Sequence, residues 1–84
     1  GDIASQTEVI LQKFQTILEA NGGAINNIVK VTSFVTDLRE APASGEVRRK
    51  YFEGNFPAST QVQVAALGTP DIKIEIEAIA VLPD

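Results

Sequence analysis

Ser59, Thr60 and Gln61 form a small cluster of hydrogen-bonding side chains at the start of a strand-like segment. They belong to the stretch FPASTQVQVAAL, residues 56–67. Two hydroxyls, one amide and the backbone N–H groups could hold a carboxylate or a carbonyl group by hydrogen bonds. A polar entry into a strand, with no ligand, also explains these residues and is the simpler interpretation.

Glu75 and Glu77 are two residues apart in an alternating segment. Their carboxylates therefore point to the same side of one strand, roughly 7 Å apart. Such a pair could supply a general acid and a general base, as in glycoside hydrolysis. Charged alternation is ordinary on a solvated or interfacial strand face, and we favour that interpretation. As a catalytic group, we prefer a single carboxylate that holds a water molecule.

Arg48-Arg49-Lys50 is the one basic cluster, and Tyr51 follows it directly. The cluster could contact RNA, but we favour a solvated helix face because no aromatic residues interleave with the charges and the net charge is −4. Tyr51 could act as a phenolic acid. At helical spacing after Val47, we favour a core anchor whose hydroxyl reaches the surface.

Cys and His are both absent from the chain. No thiolate nucleophile, zinc-thiolate site or Ser-His-Asp triad can be built within it. Chemistry must use carboxylates, Lys, Arg, Tyr51, hydroxyls, backbone amides or bound water, and no metal site is expected. The lack of Cys fits a cytoplasmic protein, which is the localisation we expect.

The composition is that of one globular domain, residues 1–84, with 44% hydrophobic and 21% charged residues. The longest apolar runs are too short to span a membrane. The negative net charge argues against nucleic acid or an anionic membrane surface as a partner.

Hydrophobic periodicity predicts the order α-β-α-β-β. The first helix covers residues 2–21, with Asp2 as its cap and Asn21-Gly22-Gly23 as its left-handed stop. A turn region that contains Pro42 precedes the second helix. The inward positions predicted for the first helix are Ile3, Thr7, Ile10, Leu11, Phe14, Ile17 and Leu18. The remaining elements are a strand over 27–36, a helix over 43–53, and strands over 60–67 and 72–81.

The strands are predicted to carry apolar residues on both faces. In the first strand Val29, Val31, Ser33 and Val35 share one face, and in the last strand Ile79 and Val81 lie opposite the main apolar row. Two helices can cover one face of a three-stranded sheet. We therefore expect the other face to meet another subunit.

Three segments carry a resemblance to a known family: NNIVKVTSFVTDL, FPASTQVQVAAL and IKIEIEAIAV. With the opening helix GDIASQTEVILQKFQTILEANGG, they closely resemble the Rid family, also called YjgF. These are reactive-intermediate deaminases, and some carry the names L-PSP endoribonuclease or translation inhibitor. The resemblance covers essentially the whole chain.

The resemblance implies a chorismate-mutase-like α+β fold, with two helices on one face of the sheet. It also implies a homotrimer with ligand clefts between neighbouring subunits. Family members hydrolyse imines and enamines, such as 2-aminoacrylate, to 2-oxo acids and ammonia without a cofactor. The expected ligand is therefore a small carbonyl compound or imine.

The resemblance also assigns site residues. Glu75 matches the carboxylate that positions the attacking water, and the backbone N–H of Gln61 matches a contact to the substrate carboxylate. The expected site is thus Glu75 as the catalytic residue, with Ser59, Thr60 and Gln61 binding the ligand.

Three departures from the family pattern bear on activity. Active deaminases carry Arg at the position of Ser59, and a neutral hydroxyl cannot replace its bidentate fork. Gly45 stands where the family has Asn, and family chains begin with a further N-terminal hairpin, so the domain is expected to be N-terminally incomplete. The alternatives are a non-catalytic metabolite-binding or scaffold protein, and an endoribonuclease or translation inhibitor.

Overall fold

The computed structural model describes all residues, 1–84, and contains the five predicted elements in the predicted order. They are helix α1 (Ile3–Ala20), strand β1 (Ile28–Val35), helix α2 (Ala41–Phe52), strand β2 (Ala58–Gln63) and strand β3 (Ile74–Ala80). Single-turn 3-10 helices at Ile25–Asn27 and Leu38–Glu40 lead into β1 and α2. Neither α-helix has the length and apolar character needed to cross a membrane.

Both ends of α1 are fixed by the residues that the sequence predicts. The backbone N–H of Ser5 donates to Asp2 Oδ1 at 2.7 Å, which caps the first turn and lowers the pKa of that carboxyl. At the other end Gly22 adopts a φ of +81°, and the N–H of Gly23 donates to the carbonyl of Leu18 at 2.8 Å. The predicted cap and the predicted stop are confirmed.

One predicted inward position of α1 is wrong. Ile17 is 60% exposed, whereas its neighbour Leu18 is buried. Successive residues are about 100° apart around a helix, so the two side chains cannot both face the sheet at the end of α1. The buried residues of the helix are Ile3, Thr7, Leu11 and Leu18.

Strand β1 is the centre of a three-stranded sheet with the order β2-β1-β3. It pairs with β2 in parallel, where Val31 lies opposite Ser59, and with β3 in antiparallel, where Val31 lies opposite Ala78. Both helices cover the same face of this sheet, and the main core lies between them and the strands. The opposite face, here called the open face, carries no element of the chain.

The start of β1 differs from the predicted alternation. Val29 is 48% exposed whereas Val31 is buried, so the prediction that these two residues share one face is wrong. Ile28 is the buried residue at the start of the strand, with 5% exposure. The pairing with β3 shifts register between Ile28 and Lys30, which marks a β-bulge. A bulge adds one residue to a strand, so the side chains before it change face. From Val31 onward the prediction is confirmed, since Val31, Ser33 and Val35 share one face, which is buried.

The boundaries of β2 and α2 also differ from the predicted ones. The strand predicted over 60–67 ends at Gln63, and the last backbone bond to β1 runs from Val64 N–H to the carbonyl of Val35 at 2.8 Å. Because β1 ends at Val35, later residues have no strand to pair with. Helix α2 begins at Ala41, two residues early, because Pro42 is tolerated in the first helical turn.

A buried pair of hydroxyl groups joins the two helices. Thr7 of α1 and Ser44 of α2 are both fully buried, and their oxygens are hydrogen-bonded at 2.8 Å. Thr7 Oγ1 also donates to the carbonyl of Ile3 at 2.7 Å. Thr7 therefore has two partners, whereas Ser44 depends on Thr7 alone.

We expect Thr7→Val to lower the free energy of unfolding by about 1–3 kcal/mol, because it leaves the buried Ser44 hydroxyl without a partner. Ser44→Ala should cost less, since Thr7 keeps the Ile3 carbonyl. The double variant should be more stable than Thr7→Val alone. Urea unfolding of the four proteins measures these differences. Equal costs for the two single variants would show that the hydroxyl pair does not act in this way.

Candidate functional site

The cluster at the start of β2 divides between the two faces of the sheet. Ser59 and Gln61 lie opposite Val31 and Ser33 of β1, so their side chains are on the helix-covered face. Thr60 lies opposite Thr32 and is on the open face. The structure therefore does not bring the three side chains together as one pocket.

Glu75 is on the open face, at the opposite edge of the sheet. It lies opposite Phe34 of β1, which in turn lies opposite Val62 of β2. Two strand spacings, roughly 9–10 Å, therefore separate its strand from the one that carries Thr60. Within one chain Glu75 does not meet the Ser59–Gln61 cluster, and a site that uses both groups remains a prediction.

Glu75 and Glu77 point to the same face, as predicted, and both are exposed. Neither carboxylate has a side-chain hydrogen bond or an ion pair in the structure. A carboxylate without a cationic partner keeps its oxygens available for water or a ligand.

The backbone of Gln61 faces the free edge of β2. Backbone N–H groups alternate in direction along a strand, and the N–H of Val64 points to β1, where it meets the Val35 carbonyl. The N–H of Gln61, three residues earlier, therefore points away from β1. It can reach a ligand or a neighbouring chain, which is the position that the predicted carboxylate contact needs.

The open face is partly apolar. Ile79 is 58% exposed and Val81 63% exposed, and Val62 is also exposed on β2. The predicted apolar character of this face is correct. Whether a second subunit covers it stays a prediction.

Arg48 is the functional candidate that the sequence interpretation missed. The basic cluster was assigned to a solvated helix face, and Arg49 and Lys50 are indeed exposed. Arg48 instead points inward, where its Nη1 donates to Ser33 Oγ at 3.2 Å. The signal was present in the helical spacing, which places Arg48 in one stripe with the inward residues of α2: Ser44, Val47, Tyr51 and Phe52.

The environment of Arg48 is unusual for a cation. Burial lowers the pKa of its guanidinium, and no carboxylate forms an ion pair with it. Its Nε is buried without a hydrogen-bond acceptor. A cleft of about 280 Å³ between α2 and β2 opens beside it, with Ser59 on its wall.

A larger groove of about 710 Å³ lies between α1 and β3. Six of its twelve lining residues are hydrophobic, such as Ile10 and Phe14, and the candidate Glu75 and Lys13 are among the others. The side-chain amide of Gln6, which lines this groove, already has hydrogen-bond partners. Gln6 Nε2 donates to the carbonyl of Asp71 at 2.8 Å, and Gln6 Oε1 accepts from the N–H of Lys73 at 2.8 Å. The free carboxylate of Glu75 and the ammonium of Lys13 remain available in the groove to orient a ligand.

Tyr51 anchors α2 to α1, as the sequence indicates. Its ring packs against the core, and its hydroxyl donates to Glu8 Oε1 at 2.8 Å. Partial burial, followed by this bond to a carboxylate, raises the pKa of Tyr51. Such a phenol is a poor acid, which supports a structural role. No three acidic side chains come together as a metal site.

Comparisons with known proteins agree with this architecture. A family model described as endoribonuclease L-PSP matches residues 1–82. The chain is 41% identical over 80 residues to a RutC family protein of Pyrococcus horikoshii, covering 95% of the chain and 63% of that protein. It is 40% identical over 81 residues to the 2-iminobutanoate/2-iminopropanoate deaminase of Rattus norvegicus, covering 96% of the chain and 58% of that protein.

The crystal structure of Escherichia coli TdcF with bound serine superimposes with a TM-score of 0.88 at 36% identity, covering 99% of this chain and 67% of that one. The predicted chorismate-mutase-like α+β fold is confirmed by this agreement. The chain spans about three fifths of the length of the curated relatives it matches. On both sequence and structure, the chain belongs to the endoribonuclease L-PSP family, the Rid/YjgF family of reactive-intermediate deaminases.

Proposed function

We propose that the chain is part of a Rid-type hydrolase that converts a small imine or enamine into a 2-oxo acid and ammonia. An enamine first tautomerises to its imine by taking a proton on carbon and losing one from nitrogen. Water then adds to the carbon of the C=N bond, and ammonia leaves as the carbonyl forms. The observation that carries the proposal is Glu75, an exposed and unpaired carboxylate on a regular strand of a family fold. It can orient the water and accept its proton.

The relatives support this choice of reaction. One relative is named a deaminase of 2-iminobutanoate and 2-iminopropanoate, and the TdcF structure holds serine. These ligands are small and carry a carboxylate. The reaction uses a carboxylate and water, which suits a chain that has neither His nor Cys.

A role in binding alone is the second candidate, and Ser59 favours it. The family Arg that binds the substrate carboxylate is absent at this position, and a hydroxyl gives a weaker, neutral contact. A protein with this change can retain a metabolite without turning it over. Measuring turnover separates the two functions.

A ribonuclease function follows from the family description alone and has little physical support here. The open face carries Glu75 and Glu77, and the net charge of the chain is −4. Phosphate contacts require a surplus of cations.

We expect Glu75→Gln to lower kcat by about 10²–10⁴-fold, because the amide cannot accept the proton of the attacking water. The measurement is the release of 2-oxo acid from 2-aminoacrylate, above its spontaneous hydrolysis. Glu77→Gln is the matched control, since it removes the same charge from the same face of β3. Equal losses in both variants, or no loss in Glu75→Gln, would remove the catalytic role of Glu75.

We also propose that the chain assembles as a homotrimer through the open face, which would place Glu75 of one subunit near β2 of another. An exposed apolar row beside polar groups is typical of an interface. Within one chain Glu75 and Gln61 lie at opposite edges of the sheet and do not meet. The trimer would bring Glu75 of one subunit to Gln61 of another.

Native mass spectrometry should show a species of three 9.0 kDa chains. Ile79→Asp should shift it towards monomer, because assembly would bury an unpaired charge. Ile17→Asp is the control: Ile17 is 60% exposed, close to the 58% of Ile79, but lies on α1. A trimer that tolerates Ile79→Asp as well as Ile17→Asp does not use the open face.

A further inference from the structure

Arg48 is a partly desolvated cation without an anion. Its Nη1 meets the neutral Ser33 hydroxyl at 3.2 Å, and its Nε is buried without any acceptor. Taking a guanidinium out of water without a paired charge destabilises a protein. Arg49 on the same helix shows the usual solution, since it is exposed and pairs with Glu46.

Gln61 provides a second unsatisfied donor in the same region. It lies opposite Ser33 in the sheet, and its Nε2 is also buried without an acceptor. These are the only two buried side-chain polar atoms in the structure that lack a partner. Native proteins rarely leave such atoms unpaired, and both atoms are donors, so a ligand that carries acceptor oxygens would satisfy them.

The cleft beside Arg48 sets the size of that acceptor. Its volume of about 280 Å³ is at the small end for ligand sites. Phe52, Phe56 and Pro57 form apolar walls, and the polar lining residues are Arg48, Arg49 and Ser59. Arg49 is already paired with Glu46, which leaves Arg48 as the unpaired cation. A short organic acid fits this division, with its carboxylate at the guanidinium and its hydrocarbon part against the aromatic rings.

We propose that Arg48, with Ser59 and the neighbouring Gln61, binds a small organic carboxylate in the cleft between α2 and β2. The positive charge comes from helix α2, whereas the family pattern places it at residue 59 of β2. The identity of this acid as the substrate or product rests on the proposed function. The test below reads binding alone, so that the two proposals can fail separately.

The test compares butyrate with butyramide, its neutral isostere, in NMR titrations of the protein. Butyrate should shift the Arg48 Nε–H signal and the backbone amides of Ser59 and Gln61, and butyramide should not. Arg48→Gln should weaken butyrate binding about tenfold or more, as expected for loss of a charge-assisted hydrogen bond. Lys50→Gln removes an exposed cation from the same helix and should leave the affinity unchanged.

Two outcomes would overturn the assignment: equal affinity for butyrate and butyramide, or unchanged butyrate affinity in Arg48→Gln. If Arg48→Gln fails to fold, Arg48→Lys serves instead, because it keeps the charge. This variant should still prefer butyrate over butyramide, with weaker binding since an ammonium lacks the planar fork. Loss of the preference in a folded Arg48→Lys protein would contradict a charge-based site.

Thermal unfolding adds a readout that a structural role would not produce. Butyrate should raise the Tm of the unaltered protein, and Arg48→Met should abolish this stabilisation. A lower Tm together with unchanged stabilisation by butyrate would mean that Arg48 supports the fold and not the ligand.

Discussion

The core face of β1 is the constraint on which the rest of the structure depends. This strand has a partner on each side, and both helices pack on the same face of the sheet. Val31 and Val35 are almost fully buried there, with Ser33 between them. Any change that turned this strand over would detach α1 and α2 together. The bulge after Ile28 lets the chain enter the strand from a 3-10 turn without losing this register.

Because both helices cover one face of the sheet, most groups that a ligand can reach lie on the open face or at the strand edges. The helix-covered face holds the core, whereas the candidate Glu75 lies on the open face. Towards the β2 edge the helix-covered face carries a polar row: Ser33 is fully buried, Gln61 is partly buried and Ser59 is exposed. Arg48 is directed into this polar row. Polar residues at core-facing positions are costly, and their clustering around one cation is consistent with a binding role.

Local patterns predicted much of this fold. The glycines after Asn21 were enough to predict where α1 ends. The alternation of β3 was enough to predict that Glu75 and Glu77 lie on one face. The pairing order β2-β1-β3 is non-local, and no short pattern specifies which strand lies at the centre. The reversal of Ile28 and Val29 depends on a bulge that the alternation does not reveal. Of the candidate site, the face of Glu75 was predictable, but the split between Ser59 and Thr60 required the register with β1.

Arg48 shows a second limit of prediction from sequence patterns. A run of three basic residues is typical of a solvated helix face, although the position of Arg48 around the helix directs its side chain inward.

Strand β2 has one further consequence. It is an edge strand, largely exposed, joined to β1 in parallel through the whole of α2. Forming such a crossover costs chain entropy, and β2 has few buried side chains to offset that cost. Its position therefore rests mainly on the backbone pairing with β1. A ligand held between α2 and residues 58–61 would add to the few contacts that hold this edge strand in place.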